Sequence, residues 1–562
     1  MINHIKTNAK SGFLYGINIP ENIRTTENKK KRKALFTQFL ISLSKAPSST
    51  ASEGPSSALE FEKRAVIKGL RHWGAETLAD GLSHCAKSII IEPNYICKDH
   101  NNLYSEYLSK KFSHYRKLTT RLHFFDADIP DEGELVSQHL TNLARNNSYI
   151  GYSIIRDHNR SLGRSVFNPQ KTRGSQAKNC HFLTTTFKVQ MNGVEFSISG
   201  YPYMSQDGEV IWCAHVALWG IIRYLSQAHS KYAETYPFDI VKLGTGHRRN
   251  FPTEGLSFEA ASLVLKRSGA NPHLGKCKNA STDKNITQEG VQQIYAYIES
   301  GVPVLVTVPN HAFTIIGHTL DLSAIGTFPI NDKVYKKIDC VRFYDSSSFI
   351  PSFIITDDNR FPYKTISTHL FKDDGNDLAP YKNSEDFKKA SRKDPKLAKM
   401  KQDSMYTLDS IQSFICPLPE KVFTSVETVR ESFFNSIKMF LADIPSEDCI
   451  FRLFFTSSNA YKKHKQKKLT YSDGQVNDSL DELICSLCLP HFIWICELST
   501  PAQYKTKKVF GEFVFNATDK DHSSALLFSR MESNLHFPVQ SGKNRLKEGS
   551  VKEYDNFRQN LR

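Results

Sequence analysis

The chain reads as an α+β protein: a helix-and-antiparallel-sheet core with further α/β modules on either side. Three stretches predict it. Residues 201–227, YPYMSQDGEVIWCAHVALWGIIRYLSQ, lead into a strongly apolar helix with Cys213 in its first turn. Residues 301–317, GVPVLVTVPNHAFTIIG, are two β-branched apolar runs around a short loop, with His311 beginning the second. Residues 341–348, VRFYDSSS, are another apolar strand, ending on Asp345.

The remaining elements follow in order. Residues 1–58 form a basic leader and linker, closed by the small-polar, proline-bearing APSSTASEGPSS. From 59 to 190 an N-terminal α/β module is expected to lie on the core. FEKRAVIKGLRHWG and YSEYLSKKFSHYRKL read there as helices, SIIIEPNYI, RLHFF and SYIGYSIIRD as strands. A hairpin with an Asn-Gly turn at 192–193 leads into the cysteine segment, and the core is assigned 191–375. A lysine-rich linker, 376–409, separates it from a second α/β module at 410–540, and the last stretch, 541–562, is a polar tail expected to be loose.

A helix N-terminus carries about half a positive charge, which favours a cysteine there as the thiolate, the reactive form. Gln206, seven residues upstream, can direct an amide N–H at an oxygen that becomes negative when a carbonyl is attacked. His311 at a strand mouth can serve as base, and Asp345 at a strand end can accept its second ring N–H. Each has a plainer reading: a small buried thiol, a satisfied strand-end imidazole, a turn-capping aspartate. Their occurrence together in the order Gln, Cys, His, Asp favours the catalytic one. Asp339 and Asp321 are alternatives to Asp345.

The segments GYPYMSQ, IWCAHVALWGIIRYL, GVPVLVTVPNHAFTIIGH and VRFYDSSS resemble the papain-like cysteine peptidases, in particular the bacteriocin-processing leader-peptidase branch, over about residues 195–370. The resemblance implies a helix carrying the nucleophile Cys213 and an antiparallel sheet carrying His311 as base and Asp345 as orienter. It implies Gln206 as the oxyanion donor. His215 and Trp219 are bulkier than the family's residues there, the separation of His311 from Asp345 is long, and Ser346 replaces a proline. These departures weigh most on Asp345.

Composition bounds the setting. Eleven cysteines without a paired framework argue for a reducing, cytoplasmic location. No signal-peptide core or long apolar run is found, so no membrane partner is expected. The net charge of +15 is concentrated in NKKKRK at 28–33, FKKASRKDPKLAKMKQ at 387–402 and YKKHKQKK at 461–468. Such runs usually mark solvated faces, and nucleic acid is the less favoured partner. Cys485, Cys488, His491 and Cys496 resemble a zinc set in spacing, but the helix and strand periodicity around them favours core packing, so neither metal nor cofactor is expected. Arg121 and His123 share a strand face that could take an anion, although a solvated sheet face is favoured.

The expected function is thiol-dependent hydrolysis of an amide in a protein or peptide substrate, with the accessory modules engaging a regulatory partner. The alternatives are deamidation, isopeptidase or acyl-transfer chemistry at the same site, and a silent peptidase-like sensor or nucleic-acid binder.

Overall fold

The computed structural model describes residues 14–44, 70–129, 137–157, 162–245, 255–277, 288–308, 310–326, 334–367, 411–469, 479–520, 526–538 and 553–561, with short strands at 5–6 and 545–548. Helices and strands mix in an α+β arrangement of three large sheets. Among the described residues no helix is long and apolar enough to cross a membrane.

The first sheet is an antiparallel series running Ile5–Lys6, Tyr15–Asn18, Ser88–Tyr95, Thr119–Phe125, Tyr149–Ile155, Leu162–Phe167 and Pro202–Tyr203. Of its three central strands, Thr119–Phe125 and Tyr149–Ile155 are buried throughout and Ser88–Tyr95 over its first four residues, as runs such as SIII and YIGYSII require. Over it folds the hairpin of Thr185–Met191 and Val194–Gly200, whose strict alternation of exposed and buried residues marks a half-covered ribbon. Its turn has positive φ at both Asn192 (47°) and Gly193 (77°), the geometry that Asn-Gly favours.

The central sheet has the order Ala270–Lys276, Ser413–Pro419, Val304–Val308, His311–Thr319, Ser352–Thr356, Lys364–Ser367, and Cys180–Phe182 also pairs with the far end of the His311 strand. Packed against it is the helix Cys213–Ala228, whose residues Ala214 to Ile222 are all buried. A helix apolar on every side belongs inside a protein. Burying Leu218, Ile221 and Ile222 stabilises it by about 2 kcal/mol each.

The third sheet runs Lys336–Ile338, Val341–Asp345, Asp448–Ser457, Phe492–Ser499, Gly511–Asn516, Leu526–Met531, Asn534–Phe537, Arg545–Glu548. Its pairs are antiparallel except Val341–Asp345 with Asp448–Ser457.

Strand exchange between sheets corrects several expected boundaries. Val341–Asp345, assigned to the core, joins the third sheet, because Phe343 packs on Phe433 and Phe434 and the Tyr344 hydroxyl donates to Asp448 at 3.1 Å. Conversely Ser413–Pro419, assigned to the C-terminal module, sits inside the central sheet with Phe414, Ile415 and Cys416 fully buried. The tail is held as well: Tyr554–Asp555 pairs with Lys508–Val509, and Phe557 stacks on Phe454 with ring centroids 5.4 Å apart. The helix expected at 104–118 instead spans Lys98–Glu106, a short 3-10 turn follows at Leu108–Lys110, and the rest is irregular. The helix expected at 61–74 begins only at His72, its first part lying outside the described residues.

One apolar core runs from Ile17 through Trp219 and Phe313 to Phe513, so the flanking modules share an interior with the central sheet. Buried polar clusters tie the parts together. Trp219 donates its indole N–H to Asp99 (3.2 Å), which also accepts from Arg164 (2.5 Å). Glu299 accepts from His318 (2.7 Å) and from Arg452 (2.6 Å), while Arg452 also bonds Glu497 and the Phe557 carbonyl.

Candidate active site

Cys213 is the first residue of its helix and remains half-buried. The turn before it is stabilised locally: the Trp212 backbone N–H donates to His215 Nδ1 at 3.2 Å. His215 therefore satisfies an N-terminal amide that would otherwise lack a partner inside the helix. It is wholly buried, which pushes its pKa down to about 4 and keeps it neutral as an acceptor.

His311 opens the strand packed beside that helix, next to Asn310, whose positive φ of 59° turns the chain sharply. The Cys213 side chain hydrogen-bonds its imidazole. Nε2 lies 3.0 Å from Asp357 Oδ1 and 3.6 Å from Asp358 Oδ1, which leaves Nδ1 for the sulfur. Both carboxylates are almost wholly buried.

The strand register explains why these acids meet the histidine. Thr356 pairs with Thr314, and the two strands are antiparallel, so the residues after Thr356 run back towards His311. Asp357 is held in turn by the Asn359 backbone N–H (3.1 Å) and by an ion pair with Arg360 Nε (3.6 Å). Burial opposes charging His311, but Asp357, its hydrogen bond, the thiol and Asp358 together hold the imidazole pKa well above its usual value. Burial likewise opposes ionising Asp357, and the imidazolium outweighs it, bringing that carboxyl to about 2.

Asp345 is not the partner of His311. Its strand lies in the third sheet, where its carboxylate accepts the Ser347 N–H (2.8 Å) and faces Arg430 Nη2 at 3.6 Å. Burial raises its pKa. Asp321 caps the turn at Ser323 and Ala324, and Asp339 occupies a turn with positive φ. The same cue that singled out VRFYD, an apolar strand ending in an acid, is also present in SFIITDD at 352–358.

Gln206 is half-buried in the loop leading to Cys213. Two latches shape that loop. The Asp207 carboxylate accepts the backbone N–H groups of Glu209, Val210 and Ile211 at 2.8–2.9 Å, and the Asp207 N–H donates to the Ile211 carbonyl at 3.0 Å. This pinch sets Gln206 and Trp212 at its open side. Buried Arg156 donates to the Ser205 carbonyl (2.8 Å) and fixes the preceding residue.

Beside the sulfur is a cavity of about 10 Å³, lined by Met204, Cys213, Ala217, Ala312, Thr356 and Asp358. It has room for roughly one water.

Among the described residues, the His, Cys, Asp and Glu donors close enough to share a metal are His311, Asp357 and Asp358, within 4.8 Å of one another. Cys485, Cys488, His491 and Cys496 do not form such a group: Cys488 is exposed and Cys496 is buried within a strand. Arg121 and His123 do not line a solvated face. Arg121 donates to Glu92 (2.7 Å) and to the Gln190 carbonyl, and His123 contacts the Tyr149 hydroxyl (2.9 Å). In the basic runs, Lys33 pairs with Asp80 and buried Lys465 with Glu512, while 387–402 lies outside the described residues.

Compared with protein-family models, curated proteins and solved structures, the chain matches none.

Proposed function

We propose that the protein is a cysteine-dependent amide hydrolase with a papain-like core, using Cys213, His311 and Asp357. The observation that carries the reading is the imidazole set between a helix-opening thiol and a buried carboxylate. The helix packed on an antiparallel sheet supports it further.

In the proposed reaction the thiol proton passes to His311 and sulfur attacks the substrate carbonyl. The resulting oxyanion receives N–H bonds from Gln206 and from the Cys213 backbone. His311 returns its proton to the leaving amine, the C–N bond breaks and a thioester remains. Water, deprotonated by His311, then cleaves the thioester, releasing the acid and restoring the thiol. Asp357 holds the ring so that Nδ1 faces sulfur and stabilises the imidazolium, the role first expected of Asp345.

Cys213→Ala and His311→Ala are each expected to lower amide hydrolysis at least a thousandfold with unchanged circular dichroism. Turnover comparable to wild type in the Cys213→Ala protein rules the reading out. Because a thioester also partitions to other acceptors, mass spectrometry of the products distinguishes cleavage from a one-dalton deamidation or a ligated chain.

A further inference from the structure

We propose that the loop of residues 107–118 is a recognition surface that captures an acidic, apolar-bearing segment of the polypeptide substrate. The proposal rests on the hydrolase reading above and adds what that site selects.

The loop is fastened to the segment that delivers the nucleophile. The Lys111 ammonium contacts the Glu209 carboxylate, and the Tyr107 hydroxyl donates to the same carboxylate at 3.4 Å. The ammonium also lies 5.4 Å from the ring centroids of both Tyr107 and Tyr115, which wrap it. Glu209 belongs to the Asp207-latched loop and precedes Cys213 by four residues, so their Cα atoms are at most about 14 Å apart. Allowing for the ion pair, the loop lies within about 30 Å of the thiol, a span that roughly nine extended residues cover.

The loop presents an aromatic ring and several cations outward. Phe112 is fully exposed and Leu118 about one-third exposed, and Lys110, His114 and Lys117 of the same loop are exposed as well. The segment YLSKKFSHYRKL holds four Lys and Arg residues and no acid. Glu209 offsets Lys111, and the acid just before the loop, Glu106, is engaged by Lys242 at 2.7 Å. A positive rim around an exposed ring complements an acidic stretch bearing an aromatic or aliphatic side chain.

Phosphates would meet the same charge, but attachment to the nucleophile loop favours a polypeptide. The test uses the full-length Cys213→Ala protein, fluorescein-labelled peptide DEEFDEE, its basic counterpart KRRFKRR, a single-stranded RNA of ten nucleotides and phosphatidylserine vesicles. The acidic peptide is expected to bind, and the basic one not. Lys110→Glu/Lys117→Glu should weaken binding at least tenfold and Phe112→Ala about fivefold. In the wild-type background these variants should alkylate with iodoacetamide at Cys213 within twofold of the parent rate. Peptide binding indifferent to the variants overturns the proposal, as does tighter binding of RNA or vesicles that the same variants abolish. Failure of the hydrolase reading shows elsewhere, as absent amide cleavage in a protein whose peptide binding still responds to the loop.

Discussion

In the proposed hydrolase, the identity of the carboxylate beside His311 decides the chemistry at the scale of single residues. Asp357→Asn should reduce turnover by a factor of about 10² to 10⁴, because the ring loses both its orientation and its counter-charge. Asp345→Asn should leave turnover within about threefold and instead cost stability, since buried Arg430 keeps its charge without its partner. Activity assays and thermal melts of the two variants make the comparison. The pH dependence has a definite sign. The raised His311 pKa contributes stability in full below about 6.5, lost as pH rises through the higher folded value. The lowered Asp357 pKa contributes stability above about 4, lost as pH falls through about 2. The melting-temperature difference between wild type and Asp357→Asn should therefore be greatest between about pH 4 and 6.5 and shrink in alkali. A difference that widens in alkali contradicts the assigned charges.

Two elements prepare the site: the helix that begins at Cys213 and the latched loop before it. Both use short-range chemistry. His215 looks like an awkward residue for a crowded helix face, yet its Nδ1 closes the helix start. Asp207 spends its carboxylate on three successive backbone amides. Asp207→Ala should release the loop carrying Gln206 and lower kcat about 10- to 100-fold. Alkylation of Cys213 by iodoacetamide should stay within about twofold, because the thiol and His311 are unmoved. An equal fall in both rates would mean that the helix start had collapsed instead.

Across the whole molecule, the sheets are interleaved. The third sheet borrows Val341–Asp345 from the middle of the chain, and the central sheet borrows Ser413–Pro419 from beyond it. The C-terminal residues then tie the third sheet to the helix Gln288–Glu299. The Phe557 N–H donates to Glu497 at 2.7 Å, its carbonyl accepts from Arg452, and Asn560 Nδ2 donates to the carbonyls of Phe455 (3.0 Å) and Glu299 (3.3 Å). Deleting residues 553–562 should lower stability by several kcal/mol, read as a fall in the denaturant midpoint. It removes a buried aromatic and leaves the Arg452 and Glu497 charges short of partners. A midpoint unchanged by the deletion would show that the tail is only draped on the surface.

Much of this was legible beforehand. The α+β class, the Asn-Gly hairpin, the apolar helix opening at Cys213 and the strand opening at His311 all follow from periodicity and turn residues acting within a few positions. Local chemistry was enough there, since each element's geometry is encoded in its own side chains. Which acid reaches the histidine was not legible. VRFYD and SFIITDD carry the same pattern, and choosing between them depends on which sheet each strand joins. Nor could the tail's polarity reveal its docking, because Arg452, Glu497 and Glu299 come from distant parts of the chain. Pairing between strands far apart in sequence is settled by how well their faces bury against one another. Phe343 found Phe433 and Phe434, and so carried Asp345 away from the thiol, while Thr356 found Thr314 and brought Asp357 to it.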